Sequence, residues 1–115
     1  IFHAFHETDL MERVKNYIEE NITEFIHLDT LASEVAKVSL SHLKKIFKEQ
    51  VGFALRDYIN YRKVEYSKAL LLQTQTVTDI AYELNFSSSQ YFATVFRKYT
   101  GLSPSYYQRS YGQRQ

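Results

Sequence analysis

The feature that narrows the fold most is an internal repeat: residues 31–58 recur as residues 80–107, forty-nine positions later and without a gap. Leu31-Ala32 corresponds to Ile80-Ala81, Glu34 to Glu83, Val35 to Leu84 and Ser39 to Ser88. Leu43 corresponds to Phe92, Phe47 to Phe96, Lys48 to Arg97, Gly52 to Gly101 and Tyr58 to Tyr107. Two amphipathic helices can match at a few apolar positions by coincidence, but that does not bring a glycine and a tyrosine into register as well. Two copies of one unit, a short helix, a turn and a longer helix, explain the pattern, since each copy keeps the same inward ridge and the same stop.

The second copy, residues 85–109, reads NFSSSQYFATVFRKYTGLSPSYYQR. Ser87, Ser88 and Ser89 can cap a helix by accepting from its free backbone N–H groups, and Phe92, Val95, Phe96 and Tyr99 follow at helical spacing. The opposite face carries Ser89, Gln90, Ala93, Thr94 and Arg97, short or polar side chains that need no apolar partner. Gly101 suits the left-handed conformation that ends a helix, and Ser103-Pro104 suits the cap and first position of the next. In the first copy, Asp29-Thr30 is expected to open a short helix with Leu31, Ala32 and Val35 inward. Residues 39–50 then form a longer helix with Leu43, Ile46 and Phe47 inward and Gly52 as its stop. Upstream, residues 1–7 show no clear period and read as a linker remnant. Thr8-Asp9 is predicted to cap a helix with Leu10, Val14, Tyr17 and Ile18 on one face, ending near Asn21. Between the copies, residues 55–72 predict a long helix with Leu55, Ile59, Arg62, Tyr66 and Leu70 on one stripe. At 1.5 Å per residue, eighteen residues span about 27 Å. With the units' own width added, that approaches the roughly 34 Å between successive major-groove faces of a duplex. The expected organisation is a remnant at 1–7, a first helix-turn-helix subdomain at 8–54, a linker helix at 55–73 and a second subdomain at 74–115.

Composition closes off other classes. With 44% hydrophobic and 16% aromatic residues, 115 residues can form a core; one proline, three glycines and no alternating runs of strand length make the chain all-α. The absence of cysteine excludes disulfides, thiolate zinc sites and cysteine nucleophiles. No run of eighteen apolar residues exists to span a membrane, and no signal peptide is visible. The chain begins at Ile1 rather than Met, which suggests a piece of a longer protein. The net charge of +1 hides an asymmetry: residues 1–29 hold two basic and seven acidic side chains, net −5, and residues 30–115 hold twelve basic and six acidic ones, net +6. A polyanion is attracted to the second part and repelled by the first.

Two helix-turn-helix units joined by one helix, with these residues, resemble the DNA-binding domain of AraC/XylS-type transcription regulators over residues 10–109. The likeness is carried by Ile80-Ala81, Phe86, Tyr91-Phe92, Phe96-Arg97, Gly101, Pro104 and Tyr107, and in the first unit by Leu31-Ala32, Ser39, His42-Leu43, Phe47-Lys48 and Gly52. Some positions depart from the family pattern. Asn85 stands at the family's usual turn glycine and tolerates left-handed angles. Ala36-Lys37 lengthens the first turn by one residue. In the linker helix, Tyr66 takes a small position and Ala69 a large one, an exchange expected to conserve core volume.

The resemblance implies an all-α fold of about seven helices that binds double-stranded DNA, with the longer helix of each unit in a major groove. Base-reading positions are then Ser41, Lys44 and Lys45 in the first unit and Ser89, Gln90, Ala93 and Thr94 in the second. Lys44 or Lys45 suits guanine, Gln90 adenine, and Ala93 or Thr94 a thymine methyl. Ser39, Lys48, Ser88, Arg97 and Lys98 are the phosphate candidates. RNA polymerase is a further partner the resemblance allows, and a protein-interaction module docking such a partner is the alternative function. The lysine-rich and small polar outward faces favour DNA. No cofactor is implied. His3 and His6 form a metal-like pair without a third ligand, and His42 reads as a surface residue. No Ser/His/Asp spacing, Walker loop or paired-carboxylate cleft is recognisable, which points away from an enzyme. By resemblance the protein is bacterial and cytoplasmic. This piece is expected to be monomeric, with dimerisation and effector sensing in a separate region. The operator, the effector and the choice between activation and repression are not written in these residues.

Overall fold

The computed structural model describes residues 2–73 and 75–112, the side chains of residues 2–8 excepted. Every regular element among the described residues is helical, in the order α1 (Phe2–Glu20), α2 (Leu28–Thr30, continued by a π-helical turn Leu31–Ala36), α3 (Leu40–Val51), α4 (Leu55–Leu71), α5 (Val77–Glu83), α6 (Ser89–Thr100) and α7 (Pro104–Tyr111). The chain divides into two compact units, Ile1–Ile59 and Asn60–Gln115.

The first unit closes around Leu10, Met11, Val14 and Ile18 of α1, Ile22 and Ile26 of the following turn, Leu31, Ala32 and Ala36, Leu43, Ile46 and Phe47 of α3, and Leu55 and Ile59 of α4. The second closes around Val64 and Leu71 of α4, Ile80, Ala81 and Leu84, and Phe92, Val95 and Phe96 of α6. The repeat survives into ring geometry. Phe47 meets Tyr58 edge to face at 5.2 Å, and their counterparts Phe96 and Tyr107 meet edge to face at 5.5 Å. Such pairs add about 0.5–1.5 kcal/mol beyond the area they bury.

Helix ends follow local chemistry. Ser39 accepts from the His42 N–H at 3.1 Å and Ser88 from the Tyr91 N–H at 3.0 Å, opening α3 and α6. Ser103 does the same for α7, with Pro104 in its first turn, and Thr76 for α5. Gly52 and Gly101 close α3 and α6 at φ 89° and 79°, where a side chain is strained even though open space surrounds both positions.

Five expectations need correction. α1 begins at Phe2, so Thr8 and Asp9 lie inside the helix instead of capping it, and Asp9 pairs with Arg13 one turn on. α2 begins at Leu28 behind His27, which makes no side-chain cap bond; Leu31, Ala32 and Val35 face the core as expected, Val35 only partly buried, with Ala36 fully buried beside them. The linker-helix stripe drifts from the expected line: after Leu55 and Ile59 the buried residues are Lys63, Val64, Ser67 and Leu71. Tyr66 and Ala69 are both exposed, so they exchange no core volume, and the buried small residue of that segment is Ser67. The extra residue of the first turn is absorbed inside the preceding helix. There Val38 N–H reaches back six residues to Ala32 O at 3.0 Å, whereas Phe86 N–H reaches back five to Ala81 O at 3.0 Å. This wide turn leaves only Val38 between left-handed Lys37 and the Ser39 cap, against Phe86 and Ser87 between left-handed Asn85 and Ser88. Both copies therefore reach their caps in the same register.

Candidate nucleic-acid interface

Successive residues of a helix rotate by about 100°, so positions 41, 44, 45 and 48 form one face of α3, opposite buried Leu43, Ile46 and Phe47. Ser41, Lys44, Lys45 and Lys48 are all exposed there. Their repeat counterparts on α6 are Gln90, Ala93, Thr94 and Arg97, opposite Phe92, Val95 and Phe96. Gln90, Thr94 and Arg97 are exposed and Ala93 is half-buried. The structure thus brings together, in each unit, the side chains that the sequence singled out. Ser89 is half-buried at the edge of the α6 face, its counterpart being Leu40, which packs against the first core.

The two faces differ in chemistry. On α3, three ammonium groups project from four positions. On α6 a carboxamide, two small side chains and one guanidinium take the same places. Thr94 Oγ1 donates to Gln90 O at 3.1 Å, which commits its proton to the backbone and leaves its methyl for apolar contact. Ser89 Oγ lies 3.5 Å from Gln90 Oε1. Ser39 and Ser88 are exposed, and their oxygens accept from the first turns of α3 and α6. Lys98 is exposed, with its Nζ 5.3 Å from the Tyr99 ring centroid.

Arg56 is a residue that sequence reasoning missed. A cavity of about 260 Å³ is lined by Leu28, Lys44, Lys48, Ala54, Leu55 and Arg56, so three basic side chains border one cavity beside α3 with no acid in the lining. The Arg56 guanidinium donates to Ile26 O at 3.4 Å and stands 5.7 Å from the Phe25 ring centroid. Its place in the first turn of α4 was visible in the sequence, but its approach to Lys44 and Lys48 was not. Tyr82 on α5 is 86% exposed, another outward group no motif marked. On α4, the Glu65 carboxylate accepts from Lys68 Nζ at 2.8 Å, and that hydrogen bond raises the ammonium pKa above its ordinary value.

No cluster of three or more metal-ligating side chains exists among the described residues, and none of their helices is long and apolar enough to cross a membrane. The His3 and His6 side chains lie outside the described residues.

A family model described as a helix-turn-helix domain matches residues 32–110. An uncharacterised HTH-type transcriptional regulator of Pseudoalteromonas carrageenovora is 40% identical over 95 residues, which cover 83% of this chain and 56% of that protein. The HTH-type transcriptional activator AarP of Providencia stuartii is 34% identical over 109 residues, covering 94% of this chain and 80% of AarP. The chain thus spans only part of the length of these relatives. Among solved structures, a transcriptional regulator with an AraC-type DNA-binding domain from Chromobacterium violaceum shares the fold at a TM-score of 0.84, with 21% identity over 95% of this chain and 97% of that one. The DNA-binding domain of AdpA, solved in complex with a target DNA, superposes at 0.75 with 26% identity, covering 89% of this chain and 91% of the other.

Proposed function

This chain belongs to the AraC/XylS-type family of helix-turn-helix DNA-binding domains, and from that membership we propose that it binds double-stranded DNA at specific sequences as part of a transcription regulator. α3 and α6 each enter a major groove, the two grooves being neighbours on the duplex. The observation that carries the reading is that the same four repeat positions face away from the core on both helices: Ser41, Lys44, Lys45 and Lys48 on α3, and Gln90, Ala93, Thr94 and Arg97 on α6, all exposed except half-buried Ala93. In this reading Ser41, Lys44, Lys45, Ser89, Gln90, Ala93 and Thr94 meet base edges. Ser39, Lys48, Ser88, Arg97 and Lys98 hold phosphates, and the cavity by Lys44 adds Arg56 to that group. Contact with RNA polymerase, dimerisation of the whole regulator through another region, and residence in the cytoplasm beside the chromosome belong to the same proposal.

The test is selection of bound sequences from a random duplex pool, followed by titration of the selected and a random duplex at several salt concentrations. About six phosphate contacts give a slope of log affinity against log salt near −5. A slope near zero, or a pool that yields no preferred sequence, refutes the reading.

A further inference from the structure

Val35 and Leu84 are repeat counterparts near the end of the helix that precedes each candidate recognition helix, where backbone carbonyls run out of intrahelical donors. In both copies a basic side chain from the unit's leading helix holds that carbonyl. Arg13 Nε of α1 donates to Val35 O at 3.3 Å, and Lys63 Nζ of α4 donates to Leu84 O at 2.6 Å. The cations occupy matching places, each preceding a fully buried valine, Val14 or Val64. A cation at the C-terminal end of a helix is also favoured by the helix dipole.

The two latches differ in depth. Arg13 is partly exposed and shares its guanidinium with Asp9. Lys63 is 5% exposed, and a buried ammonium is costly to desolvate, so an apolar side chain of similar length would fill the space at less expense. Leu84 is followed directly by left-handed Asn85, and Phe86 N–H then bonds back to Ala81 O. One turn before Lys63 on α4, Asn60 Nδ2 donates to the Tyr91 hydroxyl in the first turn of α6 at 3.3 Å. Lys63 and Asn60 therefore hold the chain on either side of the turn that launches α6.

We propose that Lys63, with Asn60 beside it and Arg13 as its first-unit counterpart, is a positioning residue for sequence reading: it anchors Leu84 O, sets the turn at Asn85, and thereby aims α6. The inference rests on the DNA-binding reading above. Phosphate contacts tolerate small shifts of a helix, whereas bonds to base edges do not.

Chains of all 115 residues carrying Lys63→Met, Lys63→Arg and Asn60→Ala are titrated with the selected duplex and with random duplex, alongside circular-dichroism melting. Lys63→Met should lower affinity for the selected duplex about tenfold and for random duplex less than twofold, while helical content persists. Lys63→Arg, which keeps a cationic donor, should recover most of the difference. Asn60→Ala should lower the ratio of the two affinities about threefold, and it decides the matter should Lys63→Met fail to fold. A ratio unchanged in Asn60→Ala and in any folded Lys63 variant overturns the proposal. A wild-type protein that prefers no sequence overturns the DNA-binding reading instead, and this inference with it.

Discussion

Ser88 holds two roles in one side chain, and they can be separated. Its oxygen accepts from Tyr91 N–H and caps α6, and the proposed interface also asks its hydroxyl to meet a phosphate. Aspartate caps helices as well as serine does, but places a negative charge where the phosphate would lie. Ser88→Ala should cost about 1 kcal/mol of stability through the lost cap. Ser88→Asp should keep stability within about 0.5 kcal/mol of the wild type and weaken DNA binding about tenfold, the equivalent of ~1.4 kcal/mol. Urea denaturation and a binding titration on the same samples check both, and unimpaired binding by Ser88→Asp removes Ser88 from the phosphate contacts. At this scale much was legible in advance: a cap among Ser87, Ser88 and Ser89, the cap at Ser103 and the stops at Gly52 and Gly101 follow from residue type and offset alone, whereas the caps at Ser39 and Thr76 emerged from the structure. Thr8-Asp9 was misread because a cap-forming pair is equally at home inside a helix once Asp9 finds Arg13 a turn away.

At the scale of elements, α3 and α6 share one geometry and carry different chemistry. Three lysines give the α3 face a diffuse attraction for phosphate, and Gln90 gives the α6 face a donor–acceptor pair that matches the adenine edge. Gln90→Ala should cost about 1–3 kcal/mol at sequences that place adenine opposite it and almost nothing elsewhere. Lys48→Ala should weaken every duplex alike and reduce the magnitude of the salt slope by about one. Competition titrations against a panel of single-base variants distinguish the two, and a uniform loss for Gln90→Ala means that it reads no base. The inward ridges of α3 and α6 were legible because 3.6-residue periodicity is strong in helices that bury one face only. The stripe of α4 was not, because it serves two cores: Leu55 and Ile59 belong to one, Val64 and Leu71 to the other, and no single stripe describes both.

Across the whole molecule, charge is divided along the chain, with net −5 in residues 1–29 and net +6 in residues 30–115. The acidic segment contains none of the proposed DNA contacts, so its influence on DNA is confined to long-range repulsion. Replacing exposed Glu12 and Glu20 by glutamine should raise affinity for all duplexes alike, about twofold at low salt, and leave the selected sequence unchanged. The gain should vanish as the screening length shrinks to roughly 3 Å at 1 M salt. A gain confined to the selected duplex, or one that persists at high salt, shows that these residues act through contact. The sequence by itself determined the helical class, the duplication, the buried ridges and the polar faces of both recognition helices. These follow from capping, glycine and apolar spacing, which act over a few residues and repeat in both copies. Only the tertiary structure decided that Lys63 and Arg13 reach equivalent carbonyls, 21 and 22 residues away in sequence, and that Arg56 joins Lys44 and Lys48 around one cavity. It also decided that the first turn hides its extra residue in a π-helical turn. Each of these depends on how one helix is rotated and packed against another, and local spacing carries no record of that rotation.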